Sequence, residues 1–226
     1  MATIIRVGGG GAAKKKATLD TIAEGALVAA RENGVLVPFF LAKKDYEPDL
    51  NGNGRYLLVR KEGYKTGAID AQAVNTYDGC DMDIWFNGEY KEMLSADVQS
   101  KMNVTQFYYT VGNGNTAVTT LAKFVFALSL TEFGLSGGNV EGTALPIAGV
   151  LRIAYVNGAA TNQWTRSAFP SNKQNFYCVD SGGNANVFGN TSAYAYRPCF
   201  TLPADMEIAD EPNADGSYTL LCDANV

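Results

Sequence analysis

The segment from Leu151 to Pro203 constrains the fold of this 226-residue chain most strongly. It contains the motif WTRS at residues 164–167, predicted to be buried, and RPCFTL at 197–202, predicted to be a strand. The residues between the two motifs are mainly Asn, Ser, Gly, Tyr and Phe. Aromatic side chains give contact area at low entropic cost, and Ser, Gly and Asn give adjustable hydrogen bonds. The pattern therefore predicts a rigid scaffold that presents a recognition surface.

Composition restricts the classes of function. The chain is long enough for a full-sized core, and 46% hydrophobic and 18% charged residues are typical of a globular protein. A net charge of −5 argues against a nucleic-acid partner, which requires clustered Lys and Arg. The absence of His removes the usual catalytic triad, general base and zinc ligand. We therefore expect no cofactor and no metal.

Two regions are predicted along the chain. Residues 1–16 combine a short apolar run, four glycines and the lysines 14–16, which is typical of a flexible, extended attachment peptide. Residues 17–226 are predicted to form one domain. The chain begins with no signal peptide and has no apolar run of transmembrane length, so we expect synthesis in the cytoplasm and no membrane partner.

In the first half of the domain, residues 18–33 are predicted to be a helix that the Asn33-Gly34 pair ends. Residues 35–43 and 56–60 are predicted to be the two strands of a hairpin. Its tip, residues 49–54, resembles the first half of a calcium loop. However, Arg60 stands where such a loop needs a bidentate Glu, which favours an Asn/Gly turn instead.

Further along, residues 83–102 are predicted to form two short helices, the second capped by Ser95, with Trp85 and Tyr90 in the core. Residues 107–110 and 123–129 are predicted to be strands, separated by a loop at 112–115.

The four cysteines are Cys80, Cys178, Cys199 and Cys222, and no two have the spacing of a metal or redox motif. Cys178 and Cys199 have apolar neighbours, which indicates buried free thiols. A disulfide between these two is the alternative if their strands pair.

The order of motifs resembles an uncharacterised domain family of Firmicutes and their prophages, over residues 35–210. The motifs are PFFLAKKDYEPDLNGNGRYLLVRK, IWFNGEY, VTTLAKFVFALSLTEFGL, LRIAYVNGAATNQWTRS and YRPCFTLP, and the family shows W-x-R-S and R-P-A-F-x-L-P. The resemblance implies an α+β, C-type lectin-like domain, as in formylglycine-generating enzymes and phage variable receptor-binding proteins. The opening IIRVGGGG is similar to the beginnings of phage tail and fibre proteins.

The resemblance divides the closing segment into a frame and a contact set. The frame residues, expected to be structural, are Trp164, Arg166, Arg197, Pro198 and Phe200, and either arginine can fix a loop through a carboxylate or backbone carbonyls. The residues expected to contact a ligand are Phe169, Asn172, Lys173, Asn175, Tyr177, Asn184, Asn186, Phe188, Asn190, Ser192 and Tyr194. The alternative to a contact set is that these residues form ordinary solvent-exposed loops without a partner.

The predicted function is that of a phage or prophage virion surface protein, a homo-oligomer with a trimer as the first expectation. It would bind a bacterial cell-surface glycan or protein, and residues 1–16 would attach it to other virion proteins. One alternative is a structural decoration or tail-tip protein without affinity for the host. An enzyme is the third class. Apolar neighbours disfavour reactive thiols at Cys178 and Cys199. For a glycosidase using the carboxylate pairs 81/83 or 89/92, sequence spacing gives no distance between the carboxylates.

Overall fold

The fold was analysed in a computed structural model, in which residues 17–72 and 74–223 are described. The regular structure of the described chain is mixed α+β, as expected, and is mainly β-sheet with a few short helices. The predicted attachment peptide, residues 1–16, lies outside the described residues.

Short strands make up most of the regular secondary structure. In chain order they are β1 (Ala17–Thr18), β2 (Leu27–Glu32), β3 (Val35–Lys43), β4 (Arg55–Arg60), β5 (Lys65–Gly67), β6 (Thr105–Gly112), β7 (Asn115–Lys123), β8 (Val125–Phe126), β9 (Ala154–Val156), β10 (Ala159–Thr161), β11 (Gln163–Ala168), β12 (Asn175–Val179), β13 (Ala185–Gly189), β14 (Tyr194–Tyr196), β15 (Cys199–Pro203), β16 (Glu207–Ile208) and β17 (Ser217–Thr219).

The helices are shorter than the predicted ones and lie mostly between β5 and β6. They are α1 (Pro48–Asn51), α2 (Asp81–Trp85), a π-helical turn (Phe86–Tyr90), α3 (Lys91–Met93), α4 (Ala96–Lys101) and α5 (Ala148–Leu151), with 3-10 turns at Leu19–Thr21 and Leu221–Asp223. The predicted cap of α4 is confirmed, because Ser95 Oγ accepts a hydrogen bond from the Val98 N–H at 3.1 Å.

Two larger sheets carry the domain. One has six strands in the order β17-β2-β3-β4-β15-β8, and the other has five in the order β13-β12-β11-β14-β5. Most pairs are antiparallel, whereas β17 with β2 and β11 with β14 are parallel. The pairs β1-β16, β9-β10 and β6-β7 form separate two-stranded ladders.

The predicted helix over residues 18–33 is wrong, although the hairpin that follows it is confirmed. Leu27–Glu32 is a strand between β3 and β17, and most of its residues are buried. A buried central strand is a continuous apolar run, which periodicity alone cannot distinguish from a helix. The Asn33-Gly34 pair does not end a helix. Both residues have positive φ (51° and 79°) and form the two-residue turn that joins β2 to β3.

The same turn recurs twice. Asn113-Gly114 joins β6 to β7, and Asn157-Gly158 joins β9 to β10, again with positive φ at both positions. The predicted loop at 112–115 is therefore a hairpin turn, and its second strand, Asn115–Lys123, was not predicted. The strand expected over residues 123–129 is reduced to Val125–Phe126.

Arg166 of β11 joins three of the sheets in the interior. Its guanidinium forms an ion pair with Glu132 at 2.7 Å, and both side chains are fully buried. It also donates to the carbonyls of Tyr108 and Ala127, at 2.8 Å each. The group lies 4.7 Å from the centre of the Phe107 ring in β6. Burial alone would lower the pKa of Arg166, but the charge of Glu132 raises it above the ordinary value, so the cation persists.

A second carboxylate completes this network. Glu141 accepts hydrogen bonds from Ser167 Oγ at 2.5 Å and from the Thr110 N–H at 2.7 Å, while Tyr46 donates its hydroxyl to Glu132. Burial raises the pKa of Glu141, and nearby Arg166 opposes that rise. The network thus ties the WTRS strand to β6 and to the connection after β8.

Replacing Arg166 with Met should lower the free energy of unfolding by about 3–5 kcal/mol, because the Glu132 carboxylate is then buried without its counter-charge. The double variant Arg166→Met/Glu132→Gln should recover part of the loss, since no unpaired charge remains. Urea denaturation measures both. Equal losses in the single and double variants would show that charge pairing is not what holds this centre together.

Candidate ligand-binding site

The expected frame residues lie in the interior and position the closing segment. Trp164 is 2% exposed, its Nε1 donates to the Gly67 carbonyl at 2.9 Å, and its ring lies 4.8 Å from that of Tyr194. These contacts link strands β11, β14 and β5 of the five-stranded sheet.

Arg197 joins the two larger sheets through backbone carbonyls. It is 5% exposed and donates to the carbonyls of Arg60, Leu151 and Lys61 at 2.8, 2.6 and 2.7 Å. Pro198 is buried, and the buried Phe200 ring packs edge-on against Phe39 at 5.3 Å. None of these side chains is available to a ligand.

The expected contact residues divide into three groups by exposure. The exposed ones are Asn172, Lys173, Asn184 and Asn186. The half-buried ones are Phe169, Asn175, Phe188, Ser192 and Tyr194. Tyr177 and Asn190 are buried. Tyr177 donates its hydroxyl to the Gly137 carbonyl, and the Asn190 amide donates to the Val74 carbonyl at 3.3 Å. Both therefore support the fold in this structure, and their side chains do not lie on the surface.

The loop between β11 and β12 carries two of the exposed side chains, and Asn75 holds it in place. The Asn75 amide nitrogen is shared among the carbonyls of Phe169, Asn172 and Asn175 at 2.8–3.0 Å. Its Oδ1 accepts the Asn113 N–H at 2.7 Å, which brings the β6-β7 turn to the same place. Asn75 is 1% exposed, so water does not compete for these bonds.

Gly112 makes this approach of the β6-β7 turn to Asn75 possible. Its φ is +78°, and a Cβ added there would lie 2.0 Å from the Asn75 carbonyl oxygen. The Lys173 stem lies against the neighbouring Gly114, where an added Cβ would come within 2.7 Å of Lys173 Cε. Sequence reasoning missed Asn75, because the three carbonyls that it binds in the β11-β12 loop are more than ninety positions away in the chain.

Two half-buried aromatic residues lie beside the exposed amides. The rings of Phe188 and Tyr194 meet edge to face at 5.1 Å, and Phe188 pairs with Phe176 across β13 and β12. We call the exposed and half-buried set the closing-segment surface; its members are Phe169, Asn172, Lys173, Asn175, Asn184, Asn186, Phe188, Ser192 and Tyr194.

A second concave surface was not expected from the sequence. Tyr90 is buried as predicted, but Trp85 is half-buried and lines a cavity of about 390 Å³. We call it the Trp85 cleft; its lining residues are Lys65, Asp81, Ile84, Trp85, Gly88, Glu89 and Tyr196. The only sequence signal was the apolar pair Ile84-Trp85, which is equally typical of a core helix.

The described residues, 17–72 and 74–223, also bear on metal sites, membrane spans and the carboxylate pair 81/83. No three His, Cys, Asp or Glu side chains there are placed to hold a metal ion. Likewise, none of the described helices is long and apolar enough to cross a membrane. Of the carboxylate pair 81/83, Asp83 is buried and bonded to Lys123 at 2.6 Å and to Asn87 at 2.9 Å.

The cysteines are free thiols, so the alternative Cys178–Cys199 disulfide is not formed. Cys178 lies on β12 and Cys199 on β15, strands of different sheets. Burial raises the pKa of both Cys80 and Cys178 to about 12 and that of Cys199 well above its usual range. Thiolate, the nucleophilic form, is therefore scarce at these three positions near neutral pH.

Residues 53–204 match the family described as the domain of unknown function DUF6273. The chain belongs to this family. The part of the DUF6273 domain that is matched contains the WTRS motif, Asn75, the Trp85 cleft and the closing-segment surface. No curated protein and no solved structure matches the sequence.

Replacing Gly112 with Ala should cost about 2–4 kcal/mol of unfolding free energy, because left-handed backbone strain adds to a clash with the Asn75 backbone. Gly216 is the matched control. It has φ +82° with no atom within 4 Å of an added Cβ, so Gly216→Ala should cost only about 1–2 kcal/mol. Thermal or urea unfolding compares them, and equal costs would contradict the close packing of Gly112 on Asn75.

Alkylation should distinguish the buried thiols from reactive ones. With iodoacetamide at pH 8, we expect Cys80, Cys178 and Cys199 of the folded protein to stay unmodified while denatured protein is modified at all four cysteines. Peptide mass spectrometry identifies the modified positions. Rapid modification of Cys178 in folded protein would contradict the burial and the raised pKa found here.

Proposed function

We propose that this DUF6273 domain is a surface-recognition module of a phage or prophage particle. It binds a bacterial cell-surface ligand, glycan or protein, through the closing-segment surface. The observation that carries the proposal is the set of hydrogen bonds that join Asn75 to the β11-β12 loop and the β6-β7 turn, which we call the Asn75 clamp. A single buried amide orders the loop that presents Asn172 and Lys173, and the same residue anchors the Asn113-Gly114 turn beside it.

Ordering a loop before the ligand arrives favours recognition, because the conformational entropy is lost on folding and not on binding. The surface then combines exposed amides and one cation with the Phe188–Tyr194 ring pair. Rigid aromatic anchors among small polar side chains are the composition of known paratopes. Loops that served only to connect strands would not need a buried side chain bonded to three of their carbonyls.

The particle setting and the finer fold assignment belong to the same proposal. We propose a C-type lectin-like topology, an N-terminal attachment peptide at residues 1–16 and assembly as a homotrimer. They are supported by the resemblance to phage variable receptor-binding proteins and tail fibres. Many copies on one particle would raise the effective ligand concentration, so weak individual contacts suffice.

Absence of catalysis also stays a prediction, consistent with the high pKa of the buried thiols.

Binding of fluorescently labelled protein to intact Gram-positive cells and isolated cell walls tests this function. The test variant is Lys173→Ala/Asn184→Ala/Asn186→Ala, which removes exposed side chains and leaves the frame intact. We expect saturable binding by the unmodified protein and at least about tenfold weaker binding by the variant, since two or three lost polar contacts are worth about 1.4 kcal/mol or more.

The matched control variant is Lys101→Ala/Asn53→Ala/Gln106→Ala, which removes the same charge and two exposed amides outside the closing-segment surface. It should bind like the unmodified protein. Equal binding by the test variant would refute the assignment of this surface. Absence of any binding, even by chemically multimerised protein, would favour a structural virion subunit instead.

A further inference from the structure

The Trp85 cleft is a second concave surface, and it shares no residue with the closing-segment surface. Its volume of about 390 Å³ lies within the range of small-molecule sites, roughly 300–1,000 Å³. It lies where α2 and the π-helical turn pack on β5 and β14. Short π-helical turns are rare and frequently occur at functional sites.

The aromatic wall of the cleft is rigid. The Trp85 ring contacts the rings of Tyr64, Tyr90 and Tyr196 at centroid distances of 5.2, 5.5 and 5.6 Å. Next to it Ile84 is 63% exposed, so its side chain is accessible to a ligand. Together they offer a fixed apolar wall for the C–H groups of a ligand.

The polar groups of the cleft include both hydrogen-bond donors and hydrogen-bond acceptors. Lys65 Nζ lies 3.8 Å from the centre of the Trp85 ring and 5.3 Å from that of Tyr196. Among the described residues it has no hydrogen bond or ion pair, so its N–H groups remain available as donors. The exposed carboxylates of Asp81 and Glu89 supply acceptors, and Glu89 also accepts the Trp85 Nε1–H at 2.8 Å.

We propose that the Trp85 cleft binds an uncharged saccharide ring. A sugar ring has an apolar C–H face for Ile84 and for the part of the Trp85 ring that Lys65 leaves uncovered, and hydroxyls that both accept from Lys65 and donate to carboxylates. An anionic ligand would be repelled by Asp81 and Glu89, and an ammonium ligand by Lys65, which already lies over the aromatic face. The proposal is independent of the closing-segment surface, because either site can bind while the other does not.

Gly88 allows the cleft to be filled without disturbing the fold. It is exposed on the cleft wall, its φ lies outside the left-handed region, and an added Cβ meets no atom within 4 Å. Gly149 in α5 has the same properties and does not line the cleft, so Gly149→Leu is the matched control for Gly88→Leu. Lys65→Met removes the donor and keeps an apolar stem.

The probes are the neutral methyl glycosides of glucose, galactose, mannose and N-acetylglucosamine, with methyl glucosaminide and methyl glucuronide as charged counterparts. Saturation-transfer NMR detects binding, and tryptophan fluorescence measures it. The chain has two tryptophans, and Trp164 is buried, so the half-exposed Trp85 reports on the cleft. We expect at least one neutral glycoside to bind with a Kd on the order of 1 mM, and more tightly than either charged analogue.

Binding should weaken at least about tenfold in Gly88→Leu, several-fold in Lys65→Met and not at all in Gly149→Leu, a tenfold change being about 1.4 kcal/mol. No saturable binding of any neutral glycoside up to about 50 mM, well above a millimolar Kd, would overturn the proposal. Unchanged binding in Gly88→Leu, or preference for a charged analogue, would overturn it as well. Cell binding by the Lys173/Asn184/Asn186 variant is measured separately and tests only the other surface.

Discussion

A buried positive charge organises this domain. Arg166 lies on the central strand of the five-stranded sheet, yet its partners are Glu132 in the connection after β8 and carbonyls of β6 and of residue 127. A fully buried guanidinium is costly unless its charge is paired and most of its donors are bonded, so these segments must converge on it. Within the described residues, Arg166 Nη2 has no hydrogen-bond partner. The position of β11 relative to the other sheets is therefore set by electrostatics as much as by apolar packing.

This centre determines where the β11-β12 loop can lie. Ser167 follows Arg166 and bonds to Glu141, and the strand then ends at Ala168, directly before the loop that Asn75 orders. Asn75 also receives the tip of the β6-β7 hairpin, whose first strand contributes the Tyr108 carbonyl to Arg166. Strands β11 and β6 thus connect the buried Arg166 network to the Asn75 contacts, which hold the β11-β12 loop of the closing-segment surface in place.

The two surfaces differ in chemistry. The closing-segment surface is rich in exposed amides and carries one cation, Lys173. The Trp85 cleft is concave, aromatic and bordered by one cation and two carboxylates. Both belong to the part of the chain that the DUF6273 family covers. A domain that contacts a cell surface at two chemically different sites would gain affinity from their linkage without a large single interface.

The sequence by itself determined those features that depend only on residues close together in the chain. Ser95 caps its helix, and the strands at 35–43 and 56–60 pair as a hairpin. The Asn33-Gly34 pair, predicted to end a helix, is instead a tight turn with positive φ at both residues. Only the tertiary structure decided that Leu27–Glu32 is a strand, since its neighbour β17 lies almost two hundred residues away and supplies a parallel ladder. The Asn75 clamp and the Trp85 cleft have the same origin. In the clamp, Asn75 meets loop carbonyls more than ninety positions away, and in the cleft the helical residues 81–89 meet Lys65 of β5 and Tyr196 of β14. No local pattern predicts these contacts between distant segments.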